Sequence, residues 1–244
     1  MKQRLDMVLV ERGLASSPSS AQATIMAGLV KQGTTVLSKP GQLVAPDIEL
    51  AVANPPRYVS RGGDKLASVA PELELDFTGL TVLDVGSSTG GFTDFCLQHG
   101  ATKVYAVDVG TAQLAYKLRQ DPRVILLERT DIRNASLPER PDIAVVDVSF
   151  ISLTKVLPAV LQLLKPAAPI VAMAKPQFEA DKPTADRHHG VILDETVRQR
   201  ILQRLQAELK KSFTIVAAAD SAVPGPRGNR ERFFLLHAKS SFRG

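Results

Sequence analysis

From residue 58 onward, short apolar runs alternate with segments whose apolar residues recur at helical spacing. The runs TVLDV, KVYAVDV, RVILLE, DIAVVDV and APIVAMA predict strands that are buried on both faces. The segments GGFTDFCLQHG, AQLAYKLRQ and LTKVLPAVLQLL, and a longer one starting near Glu195, predict helices. FTIVAAADSAV and RFFLLHA predict two final strands. This alternation indicates an α/β fold whose mainly parallel sheet carries helices on both faces.

The first part of the chain follows a different pattern. Apolar residues at helical spacing predict a helix that ends at Gly13, and a second helix is predicted from Ser17 to Ala27, with Pro18 in its first turn and Gly28 after it. LVKQGTTVL and LVAPDIELAV then predict a few short strands. We therefore expect a small α+β domain over residues 1–53, a linker over residues 54–62 in which two prolines disfavour helix, and a larger domain over residues 63–244.

Composition narrows the class of protein. The chain has 244 residues, of which 44% are hydrophobic, and a net charge of +5. A moderate basic excess is compatible with a polyanionic partner. With Cys96 as the single cysteine, an internal disulfide or a cysteine zinc cluster is excluded. Charged residues interrupt the N-terminus, and PIVAMA is too short to span a bilayer, so we expect a cytoplasmic protein without membrane segments.

A glycine-rich turn follows the first strand of the larger domain. It reads Asp84-Val-Gly86-Ser-Ser-Thr-Gly90-Gly91, and a glycine after a strand allows a close ligand approach. Asp108 ends the next strand, where an acid can bind a ribose diol. The dinucleotide fingerprint requires a glycine where this chain has Ser88, which counts against a nicotinamide-dependent oxidoreductase. A tight turn that binds no ligand remains an alternative.

This turn resembles the first motif of the class I S-adenosylmethionine-dependent methyltransferases. The resemblance implies a Rossmann-like, seven-stranded sheet and S-adenosyl-L-methionine as the cofactor. Asp131, after the third strand, is a weaker candidate for contact with the adenine, and a helix N-cap explains it equally well. The candidate cofactor-binding residues are Asp84, Gly86, Ser87, Ser88, Thr89, Gly90, Gly91, Asp108 and Asp131.

Four charged residues stand at the ends of predicted strands or just before them. Asp147 and Lys175 close apolar runs, Lys65 precedes the sheet, and Glu231 opens the last strand. Ligands of open α/β sheets bind outside the carboxyl ends of the strands. The set resembles the Lys-Asp-Lys-Glu tetrad of the ribose 2′-O-methyltransferases related to FtsJ, which implies that all four are catalytic. A lysine could accept the proton of a ribose hydroxyl or hold the forming alkoxide.

Nearly the whole chain resembles the TlyA family. RLDMVLVERGLA and AGLVKQGTTV resemble an S4 RNA-binding domain, and YVSRGG, DVGSSTGGF, DVSFISL, KPQFE and GNRE are specific in combination. The family consists of ribosomal RNA 2′-O-methyltransferases that also carry the name hemolysin. The resemblance implies methylation of a cytidine ribose in 16S or 23S ribosomal RNA, with ribosomal RNA or ribosomal subunits as partners.

The second predicted helix departs from the S4 pattern, because ASSPSSAQATIMAG contains no basic residue. Several phosphate contacts expected of the family are therefore missing. RNA contact would rely on scattered cations, which are equally compatible with a solvated surface. These residues are Lys2, Arg4, Lys31, Lys39, Arg57 and Arg61.

The polar loop over residues 175–190 contains His188 and His189 without an evident third ligand, so we expect no metal site. The sequence does not define an oligomeric state. Two further alternatives stay open: an RNA-binding protein without methyltransferase activity, and a hemolysin that acts on membranes.

Overall fold

The computed structural model describes residues 2–53 and 56–239. The chain divides into two compact units, residues 1–56 and residues 57–244. Within the second unit, Tyr58 is buried and packs with Leu66 and Phe95. The packed part of this unit therefore includes residues that precede its first helix.

The N-terminal unit is built on a small apolar core that contains Leu5, Leu9 and Ile25. Pro18 occupies the first helical position of the second helix, and the Ser17 side chain caps that helix by accepting a hydrogen bond from the backbone N–H of Ser20. The elements described within residues 2–53 are β1 (Gln3–Arg4), α1 (Leu5–Glu11), α2 (Pro18–Met26), β2 (Val30–Gln32), β3 (Thr35–Val36), β4 (Leu43–Val44) and β5 (Ala51–Val52). Strand β1 pairs with β4, and β2 lies between β3 and β5.

The second unit is organised around a seven-stranded sheet. Its strands are β6 (Thr81–Val85), β7 (Lys103–Val107), β8 (Val124–Leu127), β9 (Ile143–Val146), β10 (Ile170–Ala174), β11 (Phe213–Asp220) and β12 (Arg232–Ala238). Its helices are α3 (Arg61–Val69), α4 (Gly91–Gln98), α5 (Tyr116–Arg119), α6 (Leu153–Leu163), α7 (Pro176–Glu179), α8 (Lys182–Arg187) and α9 (Glu195–Ser212). The predicted α/β class with a mainly parallel sheet is confirmed.

The strand order, β11-β12-β10-β9-β6-β7-β8, determines which residues meet at the carboxyl edge. Strands β6 to β10 are parallel, whereas β12 is antiparallel to β10 and pairs Arg232 with Ala174. The start of β12 therefore lies at the edge where β10 ends. This register brings Glu231 and Lys175 to the same end of the sheet, although they are distant in sequence.

Both faces of the central strands are buried, which explains their continuous apolar runs, whereas the edge strands β8 and β11 are partly exposed. Leu83 and Tyr105 face a core that includes residues of α6 and α9. Their neighbours Val82 and Val104 face the opposite core, which includes residues of α3 and α4. Because side chains alternate along a strand, each strand contributes to both cores. Burial of one such side chain stabilises the fold by roughly 1.5–3 kcal/mol.

Three local elements differ from the sequence pattern. Helix α3 contains Gly62 and Gly63 in its first turn, so its propensity is weak, and packing of Leu66 and Val69 stabilises it instead. The polar loop over residues 175–190 contains α7 and α8, each with a proline in the first turn. The predicted helix AQLAYKLRQ is helical only over Tyr116–Arg119.

Candidate active site

The glycine-rich turn between β6 and α4 is shaped by close backbone contacts. Gly86 has a φ of +83°, and a Cβ atom there would lie 2.4 Å from the carbonyl oxygen of Asp147. Gly90 has a φ of +97°, and its Cβ would collide with Leu114 and Leu118. A side chain at either position would displace the turn. Gly86 thus lets the turn approach Asp147, which follows β9, and Gly90 lets it approach the segment that follows β7.

Asp108, at the end of β7, holds the turn from the other side. One carboxylate oxygen accepts a hydrogen bond from the backbone N–H of Ser88 at 2.7 Å, and the other accepts one from Gly110 at 2.7 Å. Each oxygen keeps a further lone pair for a ligand. The Asp108 cavity has a volume of about 340 Å³, and its lining includes Gly86, Ser88, Val107, Asp108, Asp131 and Ile132.

Asp131 also lines the Asp108 cavity, and its side chain is engaged locally. It caps the 3-10 helix Ile132–Asn134 and forms an ion pair of 2.5 Å with Arg133. The hydrogen bonds from Arg133 lower the pKa of Asp131 to about 2. Asp131 thus has the N-cap geometry that the sequence left open, while it still faces the cavity.

Asp84 lies beneath the turn and does not line the Asp108 cavity. It is fully buried, and Thr93 Oγ1 donates a hydrogen bond of 2.6 Å to its carboxyl group. Burial is the main cause that raises the pKa of Asp84 to about 7. The hydrogen bond from Thr93 lowers this pKa, and the nearby charge of Asp147 raises it further. This geometry indicates that Asp84 supports the turn from inside the core.

We expect the free energy of unfolding to depend less on pH in Asp84→Asn than in the wild type. The native pKa of Asp84 lies above its ordinary value of 3.8, so this group stabilises the fold at low pH, and the stabilisation is lost as pH rises through about 7. Linkage gives a loss of about 2–3 kcal/mol between pH 5 and pH 8. Urea denaturation at both pH values should show this extra loss in the wild type, whereas parallel pH profiles would contradict it.

A second cavity, the Ser87 cavity, lies between the turn and the start of α3. Its lining includes Ser60, Lys65, Ser87, Thr89, Gly91 and Asp147. Ser87 is buried, and its hydroxyl oxygen has no hydrogen-bond partner among the described residues. A buried polar atom without a partner is costly, and a polar ligand would satisfy it.

Lys65 and Glu231 form a buried ion pair. Lys65 Nζ donates to Glu231 Oε1 at 2.8 Å, and the residues are 7% and 2% exposed. The pair joins α3 to the start of β12. Since a buried lysine without its partner would be strongly destabilising, each residue depends on the other.

Lys175 and Asp147 form the second pair, at the ends of the adjacent strands β10 and β9. Lys175 Nζ lies 2.5 Å from Asp147 Oδ1 and donates to Ser149 Oγ at 2.8 Å. The lysine is therefore held from two directions. The ammonium group of Lys175 lies at the carboxyl edge of the sheet. Its partner Asp147 lies next to Gly86 of the glycine-rich turn.

Three of these four charged residues line one cavity. The Lys175 cavity has a volume of about 450 Å³, and its lining includes Lys65, Ser149, Phe150, Lys175, Arg227 and Glu231. Asp147 completes the set, since it lines both the Ser87 cavity and the Asp108 cavity. All four charged residues singled out in the sequence thus come together beside the glycine-rich turn.

An aromatic pair, Phe150 and Phe178, also lines this cavity and was not among the residues singled out in the sequence. Phe150 is 90% exposed, has a φ of +63°, and contacts Phe178 with ring centroids 4.8 Å apart. Among the exposed large hydrophobic side chains of the described residues, Phe150 is the most exposed. Their positions in the sequence could have indicated this pair, because Phe150 comes three residues after Asp147 and Phe178 comes three residues after Lys175.

The basic residues singled out for RNA contact differ in their local contacts. Arg4 forms an ion pair of 2.7 Å with the buried Asp6, which lowers the pKa of Asp6 to about 2. The guanidinium of Arg57 lies 5.1 Å from the ring centre of Tyr58, and Arg61 is exposed at the start of α3. Lys2, Lys31 and Lys39 are exposed. Within the N-terminal unit, α2 carries no cation that could join them.

In residues 2–53 and 56–239, no helix has the length and apolar character needed to cross a membrane. Across the same ranges, His188 and His189 do not join any group of three or more potential metal ligands.

Sequence profiles of two families match the chain. The profile of FtsJ-like methyltransferases matches residues 58–239, and the profile of the S4 domain matches residues 3–47. The first match covers the sheet, the glycine-rich turn and all four charged residues.

Individual proteins are similar over almost the full length. A candidate rRNA methyltransferase of Bacillus subtilis, YqxC, is 44% identical over 97% of this chain and 85% of its own. The 16S/23S rRNA (cytidine-2′-O)-methyltransferase TlyA of Mycobacterium tuberculosis is 39% identical over 98% of this chain and 91% of its own. The solved structure of a candidate hemolysin from Streptococcus thermophilus superposes with a TM-score of 0.73, at 36% identity, covering 98% of this chain and 89% of that one.

Proposed function

The chain belongs to the FtsJ-like methyltransferase family and carries an S4 domain, and we propose that it methylates the ribose 2′-hydroxyl of a cytidine in ribosomal RNA. Its cofactor is S-adenosyl-L-methionine. The observation that supports the proposal best is the convergence of the Lys65–Glu231 and Lys175–Asp147 pairs beside the glycine-rich turn. An RNA-binding protein without this activity would not require two such pairs at one cavity.

The residues of the Asp108 and Ser87 cavities fit this cofactor. The free lone pairs of Asp108 suit a ribose diol, and the apolar walls formed by Val107 and Ile132 suit a flat purine ring. The unpartnered Ser87 hydroxyl suits the polar end of the methionine moiety. When bound, the cofactor supplies an electrophilic methyl group attached to a sulfonium.

The acceptor hydroxyl is best placed at Lys175. The sequence left two roles open for this lysine, proton acceptor or support for an alkoxide. Because Lys175 Nζ is paired with Asp147 at 2.5 Å, we favour a step in which the hydroxyl proton passes to the Asp147 carboxylate as the oxygen attacks the methyl group. The ammonium group of Lys175 then donates a hydrogen bond to the acceptor oxygen and stabilises the negative charge that develops on it. The Lys65–Glu231 pair lines the same cavity and adds a second cation there.

Phe150 and Arg227 extend this arrangement to RNA. Bases of single-stranded or flipped nucleotides stack on exposed aromatic rings, and Phe150 offers such a ring beside Lys175. Arg227, at the same cavity, suits a phosphate. Together they would hold a nucleotide with its ribose near the lysine.

Asp108→Ala is expected to weaken binding of S-adenosyl-L-methionine by about 10-fold to 100-fold, because it removes charge-assisted hydrogen bonds to the ribose and loosens the turn at Ser88. Calorimetry measures the dissociation constant. Asp121→Ala is the matched control, since Asp121 bonds locally to Arg123 and does not line the Asp108 cavity. Equal affinities of the two variants would remove Asp108 from the proposed site.

The experiment that tests the proposed function is transfer of a labelled methyl group from S-adenosyl-L-methionine to each purified, unmodified ribosomal subunit. Methylation of a 2′-hydroxyl protects the adjacent phosphodiester from alkali, so the label should persist in an alkali-resistant dinucleotide. Nucleoside analysis should then identify 2′-O-methylcytidine. A label on a base, or no label on either subunit while the cofactor still binds, would contradict the proposal.

A further inference from the structure

Two chain segments leave the adjacent strands β9 and β10 and form the wall of the Lys175 cavity. They are residues 147–153 and residues 175–179. At their beginnings they are joined by Lys175, which contacts Asp147 at 2.5 Å and Ser149 Oγ at 2.8 Å. The segments have a second junction at their far ends, which does not touch the cavity.

Glu179 makes this second junction. Its carboxylate accepts hydrogen bonds from Ser152 Oγ at 2.6 Å and from the backbone N–H of Leu153 at 2.9 Å. Leu153 is the first residue of α6, and Ser152 caps the same helix through the N–H of Thr154. A carboxylate at a helix N-terminus satisfies a free N–H group and faces the positive end of the helix dipole.

Phe150 lies between the two junctions in a conformation that needs support. Its φ of +63° is unfavourable for a bulky side chain, and such conformations persist where the surroundings fix them. Its ring is 90% exposed, so packing of that ring supplies little of the support. The junctions at Lys175 and Glu179 fix the two ends of the segment instead.

Glu179 itself is anchored from behind. Arg204 of α9 donates a hydrogen bond of 2.7 Å to the backbone carbonyl of Glu179, and it contacts Asp181 at 3.3 Å. The main chain of Glu179 is therefore held by α9, while its side chain reaches the segment of residues 147–153. A long helix of the core thereby sets the position of the cavity wall.

We propose that Glu179 is a positioning residue that fixes the Phe150 segment against Lys175, so that the acceptor nucleotide meets the lysine in one geometry. This inference rests on the proposed function for its effect on methyl transfer. It has a structural consequence that can be measured without any transfer, because the order of the Phe150 segment depends on Glu179.

The structural consequence is read from fluorescence anisotropy. The chain contains no tryptophan, so Phe150→Trp introduces a single reporter at the tip of the segment. In this background, Glu179→Ala should lower the anisotropy of the folded protein. Glu179→Gln retains a carbonyl oxygen for Leu153 and should keep the anisotropy of the parent. Asp181→Asn is the matched control, since Asp181 contacts Arg204 but does not bond to residues 147–153.

In methyl transfer, Glu179→Ala in the otherwise native chain should lower kcat by about 10-fold to 100-fold, as expected when a reacting group is misplaced by about 1 Å. Glu179→Gln should restore most of this loss, and Asp181→Asn should show none. If Glu179→Ala fails to fold, Ser152→Ala takes the place of that variant in both measurements, since it removes one of the two hydrogen bonds to Glu179.

Unchanged anisotropy in a folded Glu179→Ala protein would overturn the inference, as would an equal loss in Asp181→Asn. A drop in anisotropy combined with absence of transfer in the wild type would leave the junction established and contradict the proposed function instead.

Discussion

Lys175→Ala is expected to reduce methyl transfer about 1000-fold while the dissociation constant of S-adenosyl-L-methionine changes by less than about threefold. The variant removes the ammonium group that faces the acceptor, and it leaves Asp108 and the glycine-rich turn in place. Lys175 belongs to the Lys175 cavity and does not line the Asp108 cavity, which explains why the two effects should separate. Single-turnover transfer and calorimetry measure them.

Two variants sharpen this experiment. Lys175→Arg keeps a positive charge but replaces a compact ammonium with a planar fork, so it should recover little activity if the position of one N–H donor matters. Lys182→Ala removes a lysine from α8 that does not line the Lys175 cavity, and it should behave as wild type. Transfer by Lys175→Ala at the wild-type rate would show that another group stabilises the acceptor oxygen.

The centre of the sheet could be predicted from the sequence because the parallel strands β6, β7, β9 and β10 are buried on both faces, whereas β8 at the sheet edge is partly exposed. A run such as IVAMA has no polar position, and all of its residues are buried. The charged residues that interrupt this pattern, Asp147 and Lys175, were therefore recognisable as exceptions at strand ends. Their meeting follows from the parallel arrangement of β9 and β10.

Glu231 shows what periodicity alone could not provide. Its place beside Lys65 depends on β12 being inserted antiparallel between β10 and β11. Strand order is a property of the whole fold, and a local pattern does not contain it. The resemblance to a known tetrad supplied the assignment, and the register of Ala174 with Arg232 gives its structural reason.

Other features could not be predicted from the sequence pattern, because tertiary contacts outweigh local preference. Two glycines argue against a helix at α3, yet a Cβ on Gly63 would lie 2.4 Å from Tyr58 Cβ, so close packing explains the glycine at this position. Arg4 was a candidate for RNA contact, but its guanidinium forms an ion pair with the buried carboxylate of Asp6. Neither contact follows from spacing along the chain.

Glu231→Ala should destabilise the protein by about 3–5 kcal/mol, because it leaves the ammonium group of Lys65 buried without its partner. Glu231→Gln should cost less, since its carbonyl oxygen can still accept a hydrogen bond from Lys65. The free energy of unfolding from urea denaturation measures both. Exposure of Lys65 to water in the variant would reduce the cost, and a crystal structure of Glu231→Ala would show it.

The double variant Lys65→Met/Glu231→Leu separates stability from activity. Replacing a buried ion pair by apolar side chains of similar volume is often neutral or stabilising, so this protein should recover most of the stability lost in Glu231→Ala. Methyl transfer should nevertheless stay low, because the cation near the acceptor oxygen is gone. Recovery of both stability and transfer would show that the pair serves the fold alone. Recovery of stability without transfer would explain why a pair that costs free energy to bury is present at this cavity.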